Sequence, residues 1–275
     1  SAASDVYKRQ AGVFIDVEGA ICAGSAACGA TQGSASSQVR FEWATPSDYS
    51  VTGRCYQQGN QLLTNSDAAC GSGVIIRSTI NQASTGMSYV SFNNAYGYPI
   101  YVQTLQAVQY GTLVFDGSSA VVDNLAFSNI NTSNIIALDF AAPTIRDSTF
   151  TLGDDGRGYD AAAVRAYEAG AGILSALTIT GSTFTGNTQA QCGNQGGGRV
   201  LIYAESSYVS MDNLDIKDNA YGAFFKGSSG SLGNSTINVL CNAIDTNSYK
   251  TTGNFAHTLY PVSYTHLTLP TTIEV

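Results

Sequence analysis

Charge is scarce in this 275-residue chain, and basic charge is the scarcest. Charged residues make up 12% of the sequence, about half the usual share, with 12 Lys and Arg against 20 Asp and Glu and a net charge of −8. An acidic surface with few lysines argues against nucleic acid and anionic membranes as partners. No apolar run approaches the ~18 residues of a membrane span, so no span is expected.

Several catalytic and metal-binding patterns are missing too. There is no Cys-x-x-Cys, and His257 is the only histidine outside the C-terminal tail, which argues against zinc. No Gly-x-Ser-x-Gly turn with a histidine partner is present, which argues against a serine hydrolase triad. No glycine-rich loop followed by lysine is present, so nucleotide binding has no support.

Six cysteines, an even number, fit an extracellular protein with disulfides. The simplest pairings are Cys22–Cys28 and Cys55–Cys70, although the sequence leaves the connectivity open.

Both ends of the chain look like translated sequencing adapter. Residues 1–10 back-translate to a transposase-type adapter, and residues 262–271 back-translate to its opposite strand. We therefore exclude 1–10 and 262–275 from the fold prediction. The natural stretch of about 11–261 is expected to be an internal fragment of a longer protein.

A six-residue pattern recurs along the chain: apolar, any residue, Asn/Asp/Gly/Arg, Leu/Ser, any residue, Phe/Ile. Its copies begin at Ile75, Val122, Ile145, Ile179, Met211 and Leu232, with a blurred copy at Ile100. From Asn124 onward the third residue, here called the anchor, recurs at intervals of 23, 34, 32 and 21 residues. The base period is therefore about 21–24 residues, which indicates a stack of similar units.

Short β-prone runs and turns at this period predict an all-β parallel β-helix over 74–255. Each coil adds a rung ~4.8 Å from the last, with Val, Ile and Phe inside and Asn or Ser ladders at the turns. A leucine-rich repeat has a similar period, but the leucines that such repeats require are missing here. A β-sandwich would not require the same motif to recur at a fixed period. Residues 11–73 show no clear copy and are interpreted as irregular coils, a disulfide-bound lobe or the end of a preceding domain.

Charged residues also repeat eight positions before three of the anchors, at Asp139, Glu205 and Lys226. The runs that end at these residues are predicted to be the same strand in different coils. The charges themselves are expected on a solvated outer face.

Two insertions, 153–168 and 186–199, interrupt the period at the same phase, just after the residue that ends the pattern. They should emerge side by side on one edge, where solenoids often place binding surfaces. The predicted site gathers catalytic candidates and binding candidates from both. The catalytic candidates are Asp154, Asp155, Arg157 and Asp160, and the binding candidates are Tyr159, Gln191, Asn194 and Arg199.

From 73 to 252 the coil pattern resembles the right-handed parallel β-helix families of the pectin-lyase-like superfamily. The run Phe184-Thr185-Gly186-Asn187, followed by glycines at 196–198, resembles polymorphic outer-membrane-protein-type surface repeats. These likenesses imply a right-handed parallel β-helix in a secreted or cell-surface protein, often an adhesin.

The run Gly153-Asp154-Asp155 resembles the paired aspartates of polygalacturonase-like hydrolases. The Gly-His-Gly and Arg-Ile-Lys of that family are absent, which puts the activity in doubt. A lyase needs Ca²⁺-binding carboxylates and a basic residue, for which the candidates are Asp154, Asp155, Asp160 and Arg157. An acidic turn with a local Asp–Arg pair is the simpler interpretation.

The sequence therefore favours an adhesion, structural or glycan-binding role, with a polysaccharide or cell-surface glycan as partner. A polysaccharide lyase or glycoside hydrolase is the alternative, and Ca²⁺ is the one cofactor considered. Sixteen tyrosines can either stack on sugars or fill strand faces. An ice-binding solenoid would need a regular threonine array, which the threonine spacing does not predict.

Overall fold

A computed structural model describes most of the chain between residues 14 and 257. The described residues are 14–17, 22–23, 34, 38–42, 55–56, 62–63, 73–77, 86–93, 95, 97–102, 107–128, 130, 132–151, 162–169, 177–186, 200–219, 221–226, 228–239, 244–247 and 256–257. Every regular element assigned within them is β, which confirms the all-β prediction.

The strands are short. The first nine are β1 (Phe14–Val17), β2 (Cys22–Ala23), β3 (Val39–Glu42), β4 (Cys55–Tyr56), β5 (Leu62–Leu63), β6 (Gly73–Arg77), β7 (Gly86–Ser88), β8 (Val90–Asn93) and β9 (Tyr98–Val102). The next nine are β10 (Ala107–Asp116), β11 (Val121–Asp123), β12 (Ala126–Ser128), β13 (Ser133–Leu138), β14 (Thr144–Arg146), β15 (Thr149–Thr151), β16 (Val164–Tyr167), β17 (Leu177–Thr180) and β18 (Thr183–Thr185). The last eight are β19 (Val200–Glu205), β20 (Tyr208–Asp212), β21 (Asp215–Lys217), β22 (Tyr221–Lys226), β23 (Ser229–Gly233), β24 (Thr236–Asn238), β25 (Ile244–Asn247) and β26 (Ala256–His257).

These strands build three parallel sheets. The first sheet has the order β1-β6-β10-β13-β16-β19-β22-β25, the second β2-β7-β11-β14-β17-β20-β23-β26 and the third β3-β8-β12-β15-β18-β21-β24. Each of the first seven coils contributes one strand to each sheet in chain order, and the eighth contributes β25 and β26. Neighbouring strands in a sheet come from successive coils. The predicted parallel β-helix is therefore confirmed. We call the connections out of the first, second and third sheets the first, second and third turns.

The second turn explains the recurring pattern. Its anchor has a positive φ in each described coil, at Tyr89, Asn124, Asp147, Gly181, Asn213 and Asn234. Asn, Asp and Gly tolerate this left-handed conformation best. The anchor N–H donates to a carbonyl of the next coil, as from Asp147 to Thr180 at 3.0 Å. The anchor is thus a bend, as predicted, and coils without insertions repeat after 21–23 residues.

Two copies of the pattern were assigned wrongly. Ile75 and Arg77 lie in β6 of the first sheet, whereas the residue in register with Val122 is Met87. The true anchor of that coil is Tyr89, which the pattern missed because tyrosine is not a usual left-handed residue. The blurred copy at Ile100 falls on β9, which pairs antiparallel with β10.

The interior contains a row of phenylalanines on the third sheet. Phe41, Phe92, Phe127, Phe150 and Phe184 stack with ring centroids 4.5–5.3 Å apart. The row continues in register as Ile216 and Ile237. Inward aliphatic residues of the other two sheets complete a single buried core, which confirms the predicted layers of Val, Ile and Phe.

Serine side chains form the predicted ladders at two of the turns. After the second turn, the Ser148 hydroxyl accepts the Leu125 N–H at 3.1 Å, and the Ser182 hydroxyl accepts the Ser148 N–H at 3.1 Å. After the first turn, Ser207 and Ser228 repeat this arrangement. The serine hydroxyl oxygens accept hydrogen bonds from buried backbone N–H groups that have no carbonyl partner in the sheets.

The runs with repeated charges do belong to one sheet, as β13, β19 and β22. Glu205 and Lys226 are in register, but their partner in β13 is Leu138 rather than Asp139. The first turn of that coil holds one extra residue, and both Asp139 and Phe140 have a positive φ. The extra residue leaves Phe140 49% exposed.

Both predicted insertions lie at the third turn, between β15 and β16 and between β18 and β19. They occupy successive coils, as expected from their common phase. Two further long connections, 43–72 and 94–106, occupy the same turn in earlier coils. They contain the β4–β5 hairpin and β9. The third turn therefore accepts extra chain in four of the coils.

Of the four paired-cysteine candidates, Cys22 begins β2 and Cys55 begins β4. Cys28 and Cys70 lie outside the described residues. Both disulfides stay predictions.

Candidate functional site

The residues predicted to form the site lie outside the described residues, within 152–161 and 187–199. The roles assigned to them, including calcium binding, stay predictions. They are Asp154, Asp155, Arg157, Tyr159, Asp160, Gln191, Asn194 and Arg199. Both segments run from strands of the third sheet into strands of the first sheet.

Side chains along the first sheet alternate between the core and the outside. Leu113 packs in the core, whereas its neighbour Val114 belongs to a second apolar cluster on the outside. This outer cluster includes Ile100 and Val102 of β9. We call this side the outer face. Its early coils are covered by β9, and its later coils carry polar groups.

Arg165 in β16 lies on the outer face, in register with Ile136, and is only 6% exposed. Its Nη1 donates to Gln109 Oε1 at 3.0 Å and to the Tyr167 hydroxyl at 2.6 Å. Its guanidinium carbon lies 5.3 Å from the centroid of the Tyr203 ring, a cation–π distance. All of these partners are neutral, and no described carboxylate forms an ion pair with Arg165.

Glu205 joins Tyr203 to the next coil. The Tyr203 hydroxyl donates to Glu205 Oε2 at 2.9 Å, and Lys226 Nζ donates to Oε1 at 2.7 Å. Glu205 is 7% exposed, so the solvated position expected for it is wrong. Burial, and then the Glu205 carboxylate, raise the pKa of Tyr203 above its ordinary value, so the hydroxyl remains a donor at neutral pH. The Tyr203 ring also stacks on Phe224 at 5.5 Å.

Five buried side-chain atoms in the described part of the chain have no hydrogen-bond partner. They are Thr112 Oγ1, Thr132 Oγ1, Asn134 Nδ2, Asn134 Oδ1 and Arg165 Nε. Natural proteins leave few such atoms, and each costs about 1–3 kcal/mol. All five belong to first-sheet strands or to the residue just before one.

The carboxyl ends of the first-sheet strands carry a second group of charges. Arg77 Nη1 lies 2.7 Å from Asp116 Oδ2. Burial, and then the neighbouring Asp139 carboxylate, raise the pKa of Asp116, while Arg77 opposes the rise. The exposed ring of Phe140 follows Asp139 directly.

We expect Asp139→Asn to increase stability near neutral pH. The folded-state pKa of Asp116 lies above that of an unfolded aspartate, ~3.9. Its contribution to stability is therefore complete below about pH 3.9 and is lost as the pH rises through the raised pKa. Removing the Asp139 charge lowers that pKa and reduces the loss. The unfolding free energy measured between about pH 3 and 7 tests this.

Asp215→Asn is the control for this pH profile, because Asp215 pairs with Lys217 on the exposed third sheet. An Asp139→Asn profile that followed the wild type at every pH would contradict the coupling.

Sequence patterns missed Arg165 and Gln109, included Tyr203 only as one of sixteen tyrosines, and treated Glu205 as surface charge. The available signal was the strand repeat itself. The runs that include Asp139 and Glu205 were already predicted to be one strand in different coils, although one residue out of register. Extending that alignment to Val164–Tyr167 would have placed Arg165 beside Tyr203.

No protein-family model, curated protein or solved structure matches this chain. Among the described residues, no cluster of three or more His, Cys, Asp or Glu side chains is arranged to hold a metal ion. The described part also contains no helix with the length and apolar character needed to cross a bilayer.

Proposed function

We propose that this chain is part of a secreted or cell-surface β-helix protein that binds a polysaccharide along the outer face of the first sheet. The observation that carries the proposal is the aromatic and charged strip formed by Tyr203, Glu205 and Lys226 over two successive coils. The partly exposed Tyr203 ring is fixed by hydrogen bonding at one end and by stacking on Phe224.

The chemistry of the strip suits a sugar polymer. The electron-rich face of an aromatic ring attracts the C–H groups on the face of a sugar ring. The carboxylate and ammonium groups beside Tyr203 supply an acceptor and donors for sugar hydroxyls. Coils repeat every ~4.8 Å, so an extended chain lying along the helix axis meets a new row of side chains at each coil. Phe140, in the first turn just after β13, adds a second exposed ring at the end of a first-sheet strand.

Calorimetric titration with a panel of soluble neutral and acidic polysaccharides tests this function. We expect Tyr203→Ala and Phe140→Ser each to weaken binding, by roughly tenfold for a lost ring contact. Phe140→Ser distinguishes a loss of binding from a loss of folding, because the Phe140 ring is exposed and its removal should leave the fold intact. Tyr208→Ala is the matched control, since Tyr208 is 43% exposed but begins a strand of the second sheet. Equal losses in all three variants, or no binding by the wild type, would reject the proposal.

A polysaccharide lyase or glycoside hydrolase is the second candidate, and the raised pKa of Asp116 favours it. Glycoside hydrolysis uses two carboxyl groups whose pKa values differ, one acting as the acid. Asp116 suits the acid, because burial raises its pKa. Its hydrogen bond with Asp139 holds these two carboxyls closer than the ~5 Å or more between acid and partner, so the partner carboxylate would be a different one. New reducing ends released by the wild type and lost in Asp116→Asn would support a hydrolase. Binding without turnover would leave the binding role.

A further inference from the structure

The first turn after β13 differs from the other first turns that the structure describes. Gly117, Glu168 and Ser206 are single left-handed residues, and each N–H donates to the last residue of a strand in the next coil, at 2.9–3.1 Å. After β13 two successive residues, Asp139 and Phe140, have φ values of 52° and 65°. This turn is therefore the one in which a bulky side chain shares a double left-handed bend.

Contacts with the rest of the protein must hold this bend, because its conformation is costly. A positive φ suits aspartate but is an outlier for a bulky residue such as Phe140, and it persists where the surroundings over-determine it. The N–H groups of Phe140 and of the residue after it donate to the Glu168 and Leu138 carbonyls, at 3.1 and 3.0 Å. The third contact is a side-chain hydrogen bond between Asp139 and Asp116.

The third contact depends on pH. Two carboxyl groups can share a hydrogen bond only while one of them carries a proton, and two carboxylates at that separation repel each other. Burial, and then the Asp139 carboxylate, raise the pKa of Asp116, so the pair keeps its proton above the range of an ordinary aspartate. Asp139 is exposed, so the pair can exchange this proton with solvent. Loss of the proton turns the contact from attraction into repulsion.

The other described groups near the turn do not neutralise the pair. Arg77 of β6 lies 2.7 Å from Asp116 and stabilises its carboxylate, which favours release of the proton. Glu168 follows β16 in the next first turn and adds a carboxyl group. The Tyr167 hydroxyl of β16 accepts a hydrogen bond from an arginine of its own strand. One cation therefore faces three carboxyl groups, and ionisation of the pair leaves an excess of negative charge.

We propose that Asp116 and Asp139 form a pH-sensitive switch for the Phe140 turn. While the two carboxyls share a proton, they hold the left-handed bend and fix the half-exposed Phe140 ring. When both are ionised, their repulsion releases the bend and the ring is no longer fixed. The consequence for binding rests on the proposed function: a polysaccharide that contacts Phe140 binds more tightly in acid than at neutral pH.

Hydrogen exchange measured from about pH 4 to 8, and corrected for the intrinsic exchange rate, tests the switch. We expect protection of the Phe140 and Ala141 amides to fall at least about tenfold with rising pH, the value of one pKa unit. Asp139→Asn should keep both amides protected over the whole range. An asparagine tolerates the left-handed conformation, and its side chain can donate to ionised Asp116.

Asp215→Asn is the matched control, since Asp215 pairs with Lys217 on the exposed third sheet. It should retain the pH profile of the wild type. Constant protection of the Phe140 turn at every pH would overturn the inference, and so would an Asp139→Asn profile equal to that of the wild type. A fall in protection shared by all three sheets would also overturn it, because pH would then act on global stability.

Calorimetric titration with polysaccharide at both ends of this pH range separates the switch from the proposed function. Tighter binding in acid by the wild type, with pH-independent binding by Asp139→Asn, would support both. A pH-dependent turn without polysaccharide binding at either pH would preserve the switch and reject the function. Polysaccharide binding by a chain whose turn does not respond to pH would preserve the function and reject the switch.

Discussion

Phe150→Ala is expected to lower the free energy of unfolding by about 3–5 kcal/mol, the cost of a large-to-small change at a buried phenylalanine. Phe150 is 0% exposed and stacks between Phe127 at 5.2 Å and Phe184 at 4.5 Å. The substitution removes the burial of one ring and a contact face from each of two others. Rigid strands on three sides limit how far the cavity can close.

Urea denaturation measures this loss. Thr149→Ala is the matched control, because Thr149 precedes Phe150 in β15 but is exposed, and we expect it to change stability by less than about 0.5 kcal/mol. Phe150→Leu, which keeps most of the volume, should fall between the two. The stacked-ring account fails if Phe150→Ala costs no more than Thr149→Ala. An unchanged m-value is needed for the comparison, since repeat arrays can lose cooperativity.

The second turn could be predicted from the sequence because one backbone requirement recurs there. The left-handed backbone conformation limits which residue types fit at this position, so Asn, Asp or Gly appears in each coil from Asn124 onward. An inward Phe or Ile follows three residues later. Tyr89 shows the limit of this signal, since tertiary contacts hold an unfavourable residue in the same conformation and the pattern then selected Arg77 instead.

The first sheet was harder to predict because its strands share no residue type at a fixed place. Burial on both faces removes the alternation of apolar and polar residues that usually marks a strand. In β13 all six residues are buried. Arg165 therefore resembles any charged residue in a short apolar run. Its described neighbours on the outer face, Gln109, Tyr167 and Tyr203, come from three different strands, and no local pattern encodes such long-range contacts.

Gly97→Ala is expected to destabilise the protein by roughly 2–5 kcal/mol and to weaken the cover of the outer face. Gly97 has φ +79°, where an L-residue is strained by about 1–2 kcal/mol. A Cβ there would lie 2.9 Å from backbone atoms of Tyr110 and Gly111 and 2.5 Å from Thr132 Oγ1. Backbone atoms cannot move aside as a side chain can, so overpacking adds about 1–3 kcal/mol.

The consequence should reach Arg165 through β9 and β10. Gly97 directly precedes β9, which pairs with the part of β10 that contains Gln109, and Gln109 Oε1 accepts from Arg165. Hydrogen exchange should therefore accelerate selectively in β9 and the start of β10. Gly233→Ala is the matched control, because its Cβ would meet only the movable carboxylate of Asp212. Uniform acceleration throughout the helix would show instead that Gly97 acts on global stability, and that β9 is not a separate cover.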